Sequence, residues 1–306
     1  MNTTSLAREQ TVTRTNSNRA LDRLFAAYLA LSGVALLFPH RPDGWLLLGA
    51  VHIVAAMFLL RTPPFGALRA RLHSMAPRLT SLLHDWYVLL LIPALYTELA
   101  VLNRSVWNGR YFDELIIRLE TLFFGGQPSQ SLAAAVPELW LSEPLHFAYL
   151  SYYLIIFGPP LLLYLRSRTA EFRATTFTLM LTFFAHYLFF VYFPVQGPRY
   201  LFPAPLGGIE DGFFYQVAHR VLEAGSAQGS AFPSSHVGVS VAQTLCVARF
   251  MPRLTLPVAL LTVGLAAGAV YGGFHYAIDA IVGAALGALM VLIAPRLQRA
   301  LEGEPA

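Results

Sequence analysis

The sequence predicts an all-α, polytopic transmembrane helix bundle with about eight spans. Of its 306 residues, 56% are hydrophobic and only 12% carry a charge, and the mean hydropathy is positive. A soluble domain of this length is far less apolar. The apolar residues also form runs long enough to cross a bilayer, separated by loops over which the charges are spread. The chain therefore belongs in a membrane.

Composition also excludes several other classes. All 21 basic residues are arginines, and they are dispersed rather than clustered, so nothing indicates a nucleic-acid partner. The single cysteine, Cys246, lies inside an apolar run and cannot form an intrachain disulfide.

The chain divides into three parts. Residues 1–19 are polar and lack an apolar period, which predicts a disordered cytoplasmic tail. Residues 20–62 contain two additional N-terminal spans, the first of them uncleaved because no small-residue cleavage site follows it. Residues 85–295 contain six more. The eight predicted spans are Ala20–Pro39, Gly44–Leu60, Asp85–Leu102, Leu145–Leu165, Thr175–Val195, His236–Met251, Leu254–Gly273 and His275–Ala294.

Two local features lie within or between these spans. Near residues 111–125, apolar residues recur at intervals of three and four after an acidic first turn, which predicts an interfacial amphipathic helix ended by Gly125-Gly126. Pro159-Pro160 predicts a kink in the fourth span.

The arginines predict the orientation. With a cytoplasmic N-terminus, 15 of the 21 arginines fall on the cytoplasmic side, as the positive-inside rule requires. Both termini are then cytoplasmic. Arg199 and the segments that begin at His236 and His275 lie together on the non-cytoplasmic face.

Two helix starts and one loop carry candidate chemistry. Pro233-Ser234-Ser235-His236 opens an apolar helix, where unpaired backbone N–H groups can bind a phosphate. His275 and Asp279 are four residues apart, which places imidazole and carboxylate on one helical face. Arg199 lies just outside the bilayer. Most such arginines only reach towards lipid headgroups, but this one shares a face with both histidines, and its guanidinium can grip phosphate oxygens.

These residues resemble a known family. Pro233-Ser234-Ser235-His236 is similar to the Pro-Ser-Gly-His motif of the type-2 phosphatidic acid phosphatase superfamily. The segment from Tyr271 to Asp279 resembles its third motif, and Arg199 stands for the first-motif arginine. The resemblance implies a six-helix catalytic core over about residues 85–295, with the first two spans as an addition.

The sequence departs from that pattern in a way that favours one branch. Gly268-Ala269 replaces the usual Ser-Arg pair before the third motif. The His-Tyr-x-x-Asp form without that arginine is similar to inositol phosphorylceramide synthases and sphingomyelin synthases. The loop Leu122–Ser129 resembles bacterial members of the inositolphosphotransferase-like branch. This resemblance implies a bacterial inner-membrane enzyme acting on a phospholipid, sphingolipid or polyprenyl phosphate in the bilayer.

The chemistry of phosphoester transfer assigns roles to the residues. His275 is the expected nucleophile, Asp279 orients it, and His236 is the general acid and then base. Arg199, with the amides near Ser234 and Ser235, is expected to bind phosphate. The reaction requires no metal and no cofactor.

Other interpretations remain open. Water could replace an alcohol acceptor, giving a plain lipid phosphate phosphatase. More remotely, His186, His236 and His275 could ligate haem, which a Soret band would reveal, or the polar groups could serve a transporter. Six histidines (His40, His52, His84, His146, His186 and His219) are expected to be structural.

Overall fold

The computed structural model describes residues 19–63, 65–203 and 208–303, and the predicted N-terminal tail lies almost entirely outside them. Apart from one isolated β-bridge between Val195 and Ser230, the regular structure of these residues is helical. The helices are α1 (Arg19–Leu37), α2 (Trp45–Leu59), α3 (Phe65–Met75), α4 (Pro77–Trp107), α5 (Asp113–Phe124), α6 (Pro128–Ala135), α7 (Leu139–Leu150), α8 (Tyr152–Leu165), α9 (Thr169–Tyr192), α10 (Pro198–Leu201), α11 (Phe213–Gly225), α12 (Ser235–Phe250), α13 (Thr255–Tyr271) and α14 (Ala277–Glu302). The predicted all-α polytopic bundle is confirmed.

The number of spans depends on how short helices are treated. In the described residues, five helices are long and apolar enough to cross a membrane: α1, α4, α9, α14, and α13 together with the 3₁₀ turn Pro252–Leu254 before it. Helices α7 and α8 make a sixth if the bent pair is one span. Helices α2 and α12 have 15 and 16 residues, fewer than the roughly 20 of an ordinary span. Eight spans, and the predicted orientation, therefore remain predictions.

The bend in the fourth predicted span lies before the proline pair. Helices α7 and α8 meet at Ser151 with an angle of 42°, whereas Pro159 and Pro160 lie inside α8. The main break therefore lies about two turns before the predicted kink. The consequence is that Tyr149 and Tyr152 flank the bend.

Polar contacts fasten the N-terminal helices to the bundle. The buried carboxylate of Asp22 in α1 accepts hydrogen bonds from Arg61, Arg69 and Tyr87 at 2.8–3.4 Å. Glu98 in α4 is bonded to His52 at 3.1 Å and to Tyr28 at 3.3 Å. These two hydrogen bonds explain how the carboxylate of Glu98 is accommodated inside a predicted span.

The centre of the bundle is the contact between α12 and α14, which also pack on α9. Glycines permit the close approach. A Cβ atom on Gly287 would overlap the carbonyl oxygen of Gly238 and lie 2.7 Å from its carbonyl carbon. A Cβ on Gly283 would likewise overlap the carbonyl oxygen of Ser234. Small residues at such contacts let helix backbones approach closely, so this glycine seam (Gly238, Gly283 and Gly287) brings the N-terminal ends of α12 and α14 together.

Gly287→Ala is expected to destabilise the protein, because the new methyl group meets backbone atoms that cannot rotate away. Overpacking of this kind costs about 1–3 kcal/mol. Thermal unfolding in detergent measures the effect, and Gly225→Ala is the matched control because nothing lies within 4 Å of its Cβ position. An unchanged midpoint in Gly287→Ala would show that the helices are not in contact at the seam.

Candidate active site

Ser234 caps the start of α12. Its Oγ accepts a hydrogen bond from the Val237 backbone N–H at 3.4 Å, and its own backbone N–H donates to the Asp279 carbonyl at 3.0 Å. Pro233 therefore precedes the cap, rather than occupying the first helical turn as predicted. Because the amide of Ser234 is already bonded, it is not free to hold a phosphate. The amides of Ser235 and His236 have no acceptor among the described residues.

His275 and Asp279 meet by a different geometry from the one the spacing suggested. His275 lies before α14, not within it, and Tyr276 is the N-cap. Asp279 Oδ2 accepts a hydrogen bond from the Tyr276 backbone N–H at 3.0 Å and lies 3.4 Å from His275 Nδ1. The capping box of α14 thus turns the carboxylate back towards the imidazole.

The two histidines face each other. The ring centroids of His236 and His275 are 5.7 Å apart. The His236 ring also packs against Tyr149 and Tyr152, with centroid distances of 5.2 and 4.3 Å, and its Nε2 lies 3.5 Å from the Tyr149 hydroxyl oxygen. A cleft of about 20 Å³ opens beside His236 between these tyrosines and residues Val221 and Leu222 of α11.

The segment before Arg199 is hydrogen-bonded to the segment before α12 and packs closely against the segment before α14. Ala231 donates its backbone N–H to the Val195 carbonyl at 2.9 Å. Gly197, with a φ of +98°, has room for no side chain, since a Cβ there would lie 3.1 Å from Ala231 Cβ and 3.3 Å from the Phe274 carbonyl oxygen. The three motif segments therefore converge at Gly197.

Arg199 has a guanidinium with spare donors. Its Nη1 is buried and has no hydrogen-bond partner among the described residues, and the group lies 4.9 Å from the centre of the Tyr200 ring. On the neighbouring α11, burial and, to a smaller extent, the charges of His146 and Arg199 together lower the pKa of His219 to about 4. Arg199 is thus within electrostatic range of α11, which lines the cleft.

Two carboxylates of α5 were not identified as site residues from the sequence. Asp113 accepts hydrogen bonds from the backbone N–H groups of Gln196 and Gly197, both at 2.9 Å, and from the Tyr276 hydroxyl at 3.1 Å. Glu120 accepts from the Ile278 N–H at 3.0 Å. Asp113, Ile116 and Glu120 are all buried on one face of the helix. The i, i+3, i+7 spacing was the available signal, but it was interpreted only as amphipathicity.

Two of the histidines expected to be structural, His146 and His186, have local partners. His146 and His186 each hydrogen-bond through Nδ1, at 2.8 Å, to the carbonyl oxygen four residues earlier. His186 also lies against Gly238, behind α12. Over the described ranges, no three His, Cys, Asp or Glu side chains are grouped so as to hold a metal ion.

The family of the chain follows from comparison with known proteins. Neither the curated proteins nor the solved structures that were compared gave a match. The sequence model of one family, described as the PAP2 superfamily, matches residues 114–293, more than half of the chain, and this range includes Arg199, His236, His275 and Asp279. The chain therefore belongs to the PAP2 superfamily, whose members are phosphatases and phosphotransferases of the PAP2 type.

Proposed function

We propose that this protein is a lipid phosphotransferase or phosphatase that acts through a phosphohistidine intermediate. The observation that carries the proposal is the facing pair of imidazoles, His236 and His275, one of them beside a buried carboxylate and both next to the Arg199 segment. A phosphoester needs a nucleophile, a proton donor for the leaving oxygen and a cation on the phosphoryl oxygens. This arrangement supplies all three.

His275 is the nucleophile in the first step. Its Nδ1 lies 3.4 Å from Asp279 Oδ2 and makes no hydrogen bond within the described residues. In the proposed first step a proton on Nδ1 closes this contact, which favours the tautomer with a free electron pair on Nε2. Nε2 attacks phosphorus, the bond from phosphorus to the leaving oxygen breaks, and protonated His236 donates its proton to that oxygen. Asp279 stabilises the positive charge that develops on the ring of His275.

The second step reverses the proton transfer. The neutral His236 takes a proton from the incoming water or alcohol, whose oxygen attacks the phosphohistidine. The bond between phosphorus and Nε2 then breaks and regenerates His275. Tyr149 and Tyr152 hold the plane of His236 in place through both steps.

Arg199 and the free amides of α12 are proposed to hold the phosphoryl group. The Nη1 donor of Arg199 and the N–H groups of Ser235 and His236 have no partner in the described residues. Donors of this kind at a helix start bind phosphate oxygens. Ser234 has a structural role in this proposal, because it joins α12 to α14.

Within the superfamily, we favour the inositolphosphotransferase-like branch, with transfer of a phospho-headgroup to an alcohol. The Gly268-Ala269 pair supports this choice. A Cβ on Gly268 would lie 3.0 Å from the carbonyl carbon of Leu145 in α7, and Ala269 is fully buried. A second arginine does not fit there, so Arg199 serves alone. The alternative within the same mechanism is a plain phosphatase, with water as acceptor.

The lipid substrate is proposed to bind from the bilayer on the non-cytoplasmic face of a bacterial inner membrane. The arginine count supports this orientation, since the Arg199 loop and both histidines fall on the side with fewer arginines.

His275→Ala is expected to abolish turnover of a lipid phosphate, because no other side chain forms the phosphohistidine. His236→Ala is expected to lower kcat by about 10²–10⁴-fold, the usual contribution of a general acid or base. Phosphate release from a radiolabelled lipid phosphate in detergent measures both. His73→Ala, at an exposed histidine of α3, is the control. Near-normal turnover in His275→Ala would refute the nucleophile assignment.

Arg199→Lys is expected to lower kcat/KM by about 10- to 100-fold, because a hydrogen bond to a charged group is lost and an ammonium cannot replace the planar fork. Inhibition by inorganic phosphate should weaken in parallel. Arg220→Lys, on the exposed side of α11, is the control. Unchanged kinetics for Arg199→Lys would place the phosphate elsewhere.

The acceptor is tested by giving the detergent-solubilised protein a labelled phospholipid or polyprenyl phosphate, with and without inositol or a lipid alcohol. A new phosphodiester that forms only with the alcohol is the expected result and identifies a transferase. Free phosphate at the same rate with and without the alcohol would identify a phosphatase instead.

A further inference from the structure

The geometry points to Asp113 and Glu120 as positioning residues that set the distance between the phosphate-binding segment and the nucleophile. We propose that α5 is a clamp on the active site, with one carboxylate for each of the two segments that must meet at the phosphorus atom. This inference deepens the proposed function and rests on it.

Asp113 fixes the Arg199 segment. Each of its two carboxylate oxygens accepts one backbone N–H, from Gln196 and from Gly197, so the carboxylate holds two consecutive peptide groups. Arg199 follows two residues later. The backbone N–H of Phe112 also donates to the Pro194 carbonyl at 2.9 Å, which ties the start of α5 to the same segment.

Asp113 also reaches the nucleophile's side of the site. The Tyr276 hydroxyl donates to its Oδ1 at 3.1 Å. Tyr276 is the residue after His275 and the N-cap of α14. One buried carboxylate thus bonds to both the arginine segment and the histidine segment.

Glu120 fixes the first turn of α14. Its side chain lies two turns along α5 from Asp113 and accepts the Ile278 N–H. Burial raises the pKa of Glu120, and the hydrogen bonds from the Ile278 and Ala277 amides act in the opposite direction. The neighbouring Tyr276 amide is bonded to Asp279. The backbone N–H groups of Tyr276 and Ile278 at the start of α14 therefore donate to carboxylates. In this proposal, the start of α14 positions His275 and does not bind phosphate.

The remainder of α5 has no such contacts. Leu122 and Phe123 are 75% and 68% exposed, as expected for a side that faces lipid. Glu114 and Arg118 pair with each other on the exposed surface. Asp113 and Glu120 are buried and accept hydrogen bonds from backbone N–H groups of other segments, whereas Glu114 is exposed. Glu114 is therefore a control on the same helix.

Asp113→Asn and Glu120→Ala are expected to have different effects. The side-chain NH₂ group of asparagine would face one of the two backbone N–H groups that donate to Asp113, and two donors cannot form a hydrogen bond. The Arg199 segment should therefore move. The inhibition constant for inorganic phosphate and KM should rise about tenfold, with a smaller change in kcat. Glu120→Ala should lower kcat about tenfold with little change in phosphate inhibition, because it releases the His275 segment. Glu120→Gln, which keeps an acceptor oxygen for Ile278, should restore most of the activity, and Glu114→Gln should resemble wild type.

Hydrogen exchange gives a readout that does not depend on turnover. Faster exchange is expected at residues 194–202 in Asp113→Asn and at residues 275–283 in Glu120→Ala. The positioning role would be overturned if both variants lost kcat equally while phosphate inhibition and local exchange stayed unchanged. Such a result would indicate only a general effect on folding. If the wild-type protein turned over no phosphoester, the proposed function itself would be overturned; an active wild type with both variants like Glu114→Gln would overturn the clamp alone.

Discussion

The close approach of α12 and α14 is the constraint on which the site depends. Glycines at 238, 283 and 287 leave no side chain between the two backbones, and the Ser234 amide donates directly to the Asp279 carbonyl. With larger residues in the seam, the two helix starts would separate by the thickness of a side chain. The rings of His236 and His275 would then be more than 5.7 Å apart, and the proposed mechanism needs both of them near one phosphorus atom.

The backbone N–H groups at the two helix starts beside this seam differ in their partners. At the start of α14 they donate to carboxylates, Ile278 to Glu120 and Tyr276 to Asp279. The backbone N–H groups of Ser235 and His236 at the start of α12 have no acceptor among the described residues. Since an unpaired helix start attracts anions, this difference supports the proposal that phosphate binds at α12 and that α14 orients the nucleophile.

Hydrogen bonds also explain why many polar side chains can be buried inside this membrane bundle. Buried polar groups are costly unless they are hydrogen-bonded. Asp113 accepts three hydrogen bonds, and Asp22 is bonded by two arginines and a tyrosine. Arg199 Nη1 and His236 Nδ1, both in the candidate site, are among the buried atoms that have no hydrogen-bond partner in the described residues. In the proposed function, the substrate supplies these partners.

The sequence by itself determined the all-α membrane class and identified Arg199, His236, His275 and Asp279 as candidates, because apolar run length and motif spacing are properties of the chain in one dimension. It did not predict the short helices α3, α6 and α11. Only the tertiary structure decided that Ser234 joins two helices, that His275 lies outside α14, and that Glu98 pairs with His52. It also decided that Asp113 and Glu120 face inwards. The physical reason is that a carboxylate on an amphipathic helix finds its partners on elements far away in sequence, and helix packing alone sets which amides come within 3 Å of it.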